Sequence, residues 1–228
     1  MSPNAKIEAA ALLLQRIQDE FSPASFASSL GAEDMVLTDL IAKHAPAIGI
    51  FSLDTGRLNP ETYDLLARAQ ETYGQTVTFR VFYPQTEDIQ RYVDSNGINA
   101  FYQSVEFRKS CCSVRKVEPL KRALAGQAAW ITGMRRQQAV TRANMEIQEF
   151  DEAHGLQKFN PLAEWTINEV WEYIHANAVP YNALHDQHYP SIGCAPCTRS
   201  IALGEDVRAG RWWWEDEAGR ECGLHVKK

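Results

Sequence analysis

The sequence predicts an α/β protein, a mostly parallel sheet flanked by helices. Two observations carry that expectation. Short apolar runs alternate with amphipathic helical patterns at the interval of strand–helix–strand units. Small-residue turns, SSLGAED and LDTGR, stand where the first two strands hand over to helices.

In order, Ala5 to Phe21 reads as a helix whose apolar run is broken by Glu8, Gln15 and Arg16 and is followed by no small-residue cleavage site. It is an amphipathic helix, not a signal peptide. Ala24 to Ser29 reads as a strand, followed by Ser28, Ser29 and Gly31 in a turn and a helix through Val36, Leu37, Leu40 and Ile41. The first amides of a helix lack internal partners and point outward, so such a turn is a natural anion cradle. It lacks the lysine of a G-x-x-x-x-G-K-[ST] loop, and an ordinary strand-to-helix turn is the other reading. A second unit follows: strand Ile48 to Leu53, turn DTGRLNP and a helix over 61–73. A third pairs strand Val77 to Phe82 with a helix near Glu87 to Ser95. Ligands of parallel sheets bind beyond the carboxyl ends of the strands, so SSLGAED and LDTGR are expected to share one site.

Tyr102 to Leu124 carries two adjacent cysteines into a helix, and Ala129 to Gly133 is a further strand ending in GMRRQQAVTRA. Arginines just past a strand end suit phosphate or sulfate, whose oxygens a guanidinium meets bidentately; a solvated loop is the alternative. Thr166 is expected to cap a helix whose Val170, Trp171 and Ile174 face inward. Beyond Val179 the chain is punctuated by Pro180, Pro190, Gly193 and Pro196, a segment that ligation of a metal would fix. The run Trp212 to Trp214 alternates faces if extended and reads as packing. A single domain is expected, with an α/β core over about 1–178 and a cluster-binding segment and tail over about 179–228.

At 228 residues the chain can bury a full core, and 23% charged with 45% hydrophobic residues is ordinary for a globular protein. No apolar run approaches membrane-spanning length. The net charge of -6 disfavours a nucleic-acid-binding surface. Basic residues nevertheless gather beside the motifs, at Lys109, Arg115, Lys116, Arg135, Arg136, Arg142, Arg199, Arg208 and Arg211. A small anionic ligand explains an acidic protein with such islands; the alternative is that half of these side chains simply face water.

The chemistry centres on cysteine. Cys111 and Cys112 are adjacent in KSCCSVRK, and Cys194 and Cys197 form a C-x-x-C pair in GCAPCTRS. Side chains of immediate neighbours diverge and chelate one ion poorly, whereas an iron-sulfur cluster offers several irons, each needing one thiolate. A 4Fe-4S cluster is therefore the first reading, with zinc and unligated buried thiols behind it. An odd count of 5 cysteines and a chain unmarked for an oxidising compartment argue against disulfides and for the cytoplasm. Cys222, in ECGLH near the end of a glycine-flanked tail, has the setting of a mobile nucleophile, with His225 and nearby arginines as electropositive company. A bystander thiol is the other reading. Were Cys222 to carry an oxidised or sulfonated intermediate, no spare cysteine would remain to resolve it, and an external thiol protein would be required.

Together, SSLGAED, LDTGR, KSCCSVRKVEPL, GMRRQQAVTR, GCAPCTR and ECGLH resemble the assimilatory adenylyl-sulfate (APS) reductases of the phosphoadenylyl-sulfate (PAPS) reductase family, from about Ser25 to His225. The resemblance implies an adenine nucleotide alpha-hydrolase-like fold and reduction of APS to sulfite and AMP with thioredoxin as reductant. It implies a 4Fe-4S cluster on Cys111, Cys112, Cys194 and Cys197 and an S-sulfocysteine on Cys222. Relatives acting on PAPS typically lack the cluster cysteines, which favours APS here; PAPS or dual use is the alternative. By position, Lys116 resembles the lysine between cluster and substrate. Arg142, Arg208 and Arg211 resemble the sulfate and phosphate contacts, and Ser28, Ser29, Leu30 and Gly31 with Leu53 the nucleotide-binding edge. GMRRQQAVTR departs from relatives with a longer loop containing Pro-Gly, which bears on Arg142. Two remoter readings are a tRNA-modifying iron-sulfur enzyme, which would typically show SGGxDS where this chain has SSLGAED, and a cluster-based sensor. A homo-oligomer is left open.

Overall fold

The computed structural model describes residues 2–139 and 142–215. Its element order is α1 (Pro3–Glu20), β1 (Ala24–Ala27), α2 (Ala32–His44), β2 (Gly49–Leu53), α3 (Pro60–Tyr73), β3 (Phe79–Phe82), α4 (Thr86–Asn96), α5 (Val105–Cys112), α6 (Glu118–Leu124), β4 (Ala129–Ile131), β5 (Gln148–Asp151), β6 (Leu156–Phe159) and α7 (Ile167–Ala176). The six strands form one sheet in the order β3-β2-β1-β4-β6-β5. β1 pairs in parallel with both β2 and β4, and β4 with β6; β5 runs antiparallel on the edge. The expected α/β class with a mostly parallel sheet is what the chain adopts. None of the helices among the described residues is long and apolar enough to cross a membrane.

The strand pair β5 and β6 is absent from the sequence expectation for a physical reason. β5 is a polar edge strand, QEFD, with alternating exposure. β6, LQKF, interrupts its apolar run with Lys158, which is buried by pairing with Glu149 at 3.0 Å and by lying 5.5 Å over the Trp130 ring. Neither offers the apolar run that marked the other strands.

The chain divides into two compact units. One comprises Met1–Ser52, Pro60–Arg80 and Leu124–Ala183, the other Leu53–Asn59, Val81–Ala123 and Leu184–Lys228. The first holds the main core. Within it α2 is apolar over most of its circumference, with Met35, Val36, Leu37, Leu40 and Ile41 fully buried, as befits a helix packed on several sides. Ser2 caps α1 by accepting from the Ala5 amide, and Pro3 occupies the first turn, where its missing N–H costs nothing. Thr166 and Glu169 cap α7 reciprocally, as the T-x-x-E spacing dictates. Trp171 packs on this core only half-buried, beside the buried Val170 and Ile174.

A buried carboxylate ties these helices together. Asp39 of α2 accepts from the Tyr173 hydroxyl of α7 at 2.6 Å and the Tyr73 hydroxyl of α3 at 3.3 Å, and pairs with Lys43 at 2.7 Å. Tyr173→Phe removes a hydrogen bond to a buried charge and should lower the unfolding free energy by about 1.5–3 kcal/mol in urea denaturation; unchanged stability would show the bond to be idle.

Candidate functional site

In the first unit, the turn after β1 is built around Asp34. Ser28 continues the strand pairing through its amide to Phe51 O at 2.8 Å, and its hydroxyl accepts from the Leu30 amide at 3.3 Å. Leu30 adopts a left-handed φ of 62°, uncommon for a bulky residue, while its side chain is buried. Gly31 is the N-cap of α2 and supplies no side-chain cap. The Asp34 carboxylate instead reaches back over the turn, accepting from both the amide and the hydroxyl of Ser29 at 2.6 Å. Burial raises Asp34 to about 6, with the Ser29 bonds and the Gly133 amide pulling it down and neighbouring Glu33 pushing it up.

The loop after β4 holds two of its arginines against the protein. Arg135 is buried, pairs with Glu33 at 2.7 Å and donates to Trp165 O at 3.3 Å; Arg136 pairs with Glu164 at 3.0 Å and donates to Met145 O at 2.8 Å. Both guanidiniums are engaged with the fold. Gln138 donates to Glu33 at 3.0 Å and accepts from Arg142, so the first turn of α2 reaches Arg142 through one amide.

In the second unit a single cavity is lined by all four of Cys111, Cys112, Cys194 and Cys197. Cys111 and Cys112 end α5, which passes into a π-helical stretch, Ser113–Val117, before α6. Such a widened turn is a feature of functional sites, and Arg115 and Lys116 within it line the same cavity. Cys194 and Cys197 flank a short 3-10 turn fixed by the Cys197 amide to Cys194 O at 2.9 Å. The DTGR turn is bound to this segment: Thr55 Oγ1 lies 3.2 Å from Cys194 Sγ, and the Ala195 amide donates to Arg57 O at 2.8 Å. Arg115 reaches Thr55 O at 2.6 Å and hydrogen-bonds Cys111, while Arg57 lies 5.0 Å over the Phe101 ring.

Burial pushes the Cys197 thiol up to about 12, helped by Cys194 and opposed by Lys116 and Arg211; burial likewise raises Cys111 against the pull of Arg115. Burial thus disfavours the thiolate at Cys111 and Cys197, and a bound metal centre is what would ionise them. Among the described residues no three His, Cys, Asp or Glu side chains converge on a single metal ion. Four soft ligands spaced around one cavity and framed by cations fit a multi-iron cluster, whose thiolates bind separate irons.

The remaining sequence-nominated residues are placed as follows. Leu53 ends β2, and the backbone amide of Arg208, which is half-buried, donates to Asp206 Oδ1 at 2.8 Å. Arg211 is buried, donates to Ile192 O at 3.2 Å and lies beside Gly193, where a Cβ would fall 2.4 Å from its guanidinium. Trp212 to Trp214 are not extended: Trp212 is buried at φ 44°, with the Arg108 and Arg211 guanidiniums each 4.6 Å from its ring centroid. Cys222 and His225 lie outside the described residues. Sequence reasoning missed Thr55, Arg57, Arg108 and Trp212 as neighbours of the thiols. The DTGR motif was visible but was assigned only to the strand-end ligand site, and Arg108 carries no signal beyond its place one turn before Cys112.

The chain matches the family model described as phosphoadenosine phosphosulfate reductase domain over residues 23–200. The adenosine 5'-phosphosulfate reductase of Burkholderia cepacia is 55% identical over 222 residues, covering 97% of this chain and 88% of that protein. The crystal structure of phosphoadenylyl-sulfate (PAPS) reductase from Candida auris, a phosphate complex, is similar with a TM-score of 0.72 at 28% identity, covering 85% of this chain and 90% of that one. The FMN adenylyltransferase of Candida glabrata, in complex with FAD and inorganic pyrophosphate, shares the fold at 13% identity and a TM-score of 0.58, over 96% of this chain and 78% of that one.

Arg108, which lines the cavity, forms a bidentate ion pair with Glu215 at 2.8 Å, with side chains 1% and 3% exposed. Glu215→Gln leaves the Arg108 charge buried without its counter-ion and should cost about 3–5 kcal/mol of stability by chemical denaturation; a variant as stable as the parent would contradict that role for the pair.

Proposed function

Because the chain belongs to the phosphoadenosine phosphosulfate reductase family, we propose that it reduces adenosine 5'-phosphosulfate to sulfite and AMP in sulfate assimilation, with a thioredoxin-type dithiol as reductant. The observation that carries this reading is the single cavity lined by four cysteines and bordered by Arg57, Arg115, Lys116 and Arg211 in a chain 55% identical to a protein named for that reaction.

The chemistry runs through Cys222. Its thiolate, with His225 as electropositive company, attacks the sulfate sulfur; a sulfur–sulfur bond forms, the sulfur–oxygen bond to phosphate breaks, and AMP departs with the electron pair. An S-sulfocysteine remains. One thiol of the reductant attacks the Cys222 sulfur and sulfite leaves with the bonding pair; the second thiol releases Cys222, and the dithiol ends as a disulfide. An external dithiol is required because the other four of the 5 cysteines belong to the cavity. Ser28, Ser29, Leu30, Gly31 and Leu53 form the nucleotide edge. Arg142, Arg208, Arg211 and Lys116 offset the charge on sulfate and on the departing phosphate. Cys111, Cys112, Cys194 and Cys197 would hold a 4Fe-4S cluster, which when bound would fix the stretch bearing Lys116. No electron transfer through it is needed.

Lys116→Ala should lower kcat by about a hundredfold while iron content stays at the parent level; parent-like turnover would remove Lys116 from the charge-offsetting set. Cys222→Ser should abolish sulfite release and preserve the visible absorption of the cluster, whereas turnover at the parent rate would refute the nucleophile.

A further inference from the structure

Two loops at the carboxyl end of the sheet meet one buried carboxylate in the first unit. Asp34 Oδ2 takes both donors of Ser29, the amide and the hydroxyl, at 2.6 Å. Its Oδ1 lies against Gly133, just past β4, so closely that a Cβ there would fall 2.0 Å from it, and the Gly133 amide hydrogen-bonds the same carboxyl. Position 133 therefore admits only glycine without displacing Asp34. The next residue toward the helix start, Glu33, is the neighbouring charge, and it is engaged by Arg135 and Gln138.

This arrangement reverses the plain reading of the turn. A serine in a strand-to-helix turn is ordinarily read as a ligand donor, yet here the Ser29 hydroxyl and amide both point at Asp34, and the Leu30 amide points at Ser28 Oγ. Leu30, between these donors, sits at φ 62°, a conformation uncommon for a bulky residue that persists only when its surroundings enforce it. What the turn then offers outward is the first amides of α2, which a helix cannot pair internally.

Resting on the nucleotide-site reading above, we propose that Asp34 is a positioning residue for the nucleotide-binding turn, and that the Ser29 hydroxyl acts through Asp34 and not on the ligand. Asp34→Asn keeps the size of the side chain but puts an amide where one set of donors must be accepted, freeing the turn. The loss falls on binding, since the turn carries no reacting atom.

The test is a double-mutant cycle on the cluster-loaded protein, reading AMP binding by calorimetry together with KM and kcat for APS. Ser29→Ala should weaken AMP about fivefold, Asp34→Asn about tenfold, and the double variant no more than Asp34→Asn alone. KM should rise in step while kcat stays within about twofold. Full additivity would place the Ser29 hydroxyl on the ligand and overturn the inference, as would parent-like AMP binding by Asp34→Asn. Should Asp34→Asn fail to fold, Gly133→Ala takes its place in the cycle with the same expectation, since its Cβ would dislodge Oδ1. A parent protein that binds no AMP would defeat the nucleotide-site reading and the inference with it, a result distinct from normal AMP binding by both parent and variant.

Discussion

Four thiols share one partly buried cavity, and the second unit is organised around that constraint. Burial opposes ionisation of Cys111 and Cys197, and once ionised the sulfurs repel one another. Cations answer both problems: Arg57, Arg115, Lys116 and Arg211 all line the cavity, and Arg108 enters it already neutralised by Glu215. The backbone departs from regular structure where the cavity requires it. The helix widens into a π turn immediately after Cys112, Trp212 accepts a left-handed φ, and Gly193 leaves room for the Arg211 guanidinium. Each is a local cost of a kind that concentrates at functional sites.

The first unit solves an opposite problem with carboxylates. α2 presents Glu33 and Asp34 in its first turn, where the helix dipole favours negative charge, and Asp39 one turn further into the core. Glu33 neutralises Arg135, Asp34 organises the turn after β1, and Asp39 gathers two tyrosines and a lysine. The most buried helix of the fold is thus also the one that fastens its loops.

How much of this was legible in the sequence differs between the two units. Strands whose both faces are covered, such as SFA in β1 and IFSL in β2, announce themselves as apolar runs, and Thr166 with Glu169 marks a helix start by spacing alone. A polar edge strand such as β5 gives no such signal, and β6, an inner strand, breaks its short apolar run with Gln157 and Lys158. The cysteine pairs were visible, but the partners of the arginines were not: Arg135 and Arg136 look like anion ligands until Glu33 and Glu164, distant in sequence, are found against them. Likewise nothing in DTGR shows that Thr55 and Arg57 face Cys194 and Phe101. Long-range pairing of charged side chains is set by the fold and leaves no local pattern to read.

The central claim, that a sulfonucleotide is opened by Cys222 beside a cluster-bearing cavity, is tested most directly by the intact mass of the anaerobically purified protein. It is incubated with APS or PAPS without reductant and then peptide-mapped. The account predicts a sulfonate adduct confined to Cys222 with APS, formed while the cluster is intact; an adduct with both compounds would broaden the substrate without changing the chemistry. No adduct from either compound, on protein that retains its cluster, would contradict it.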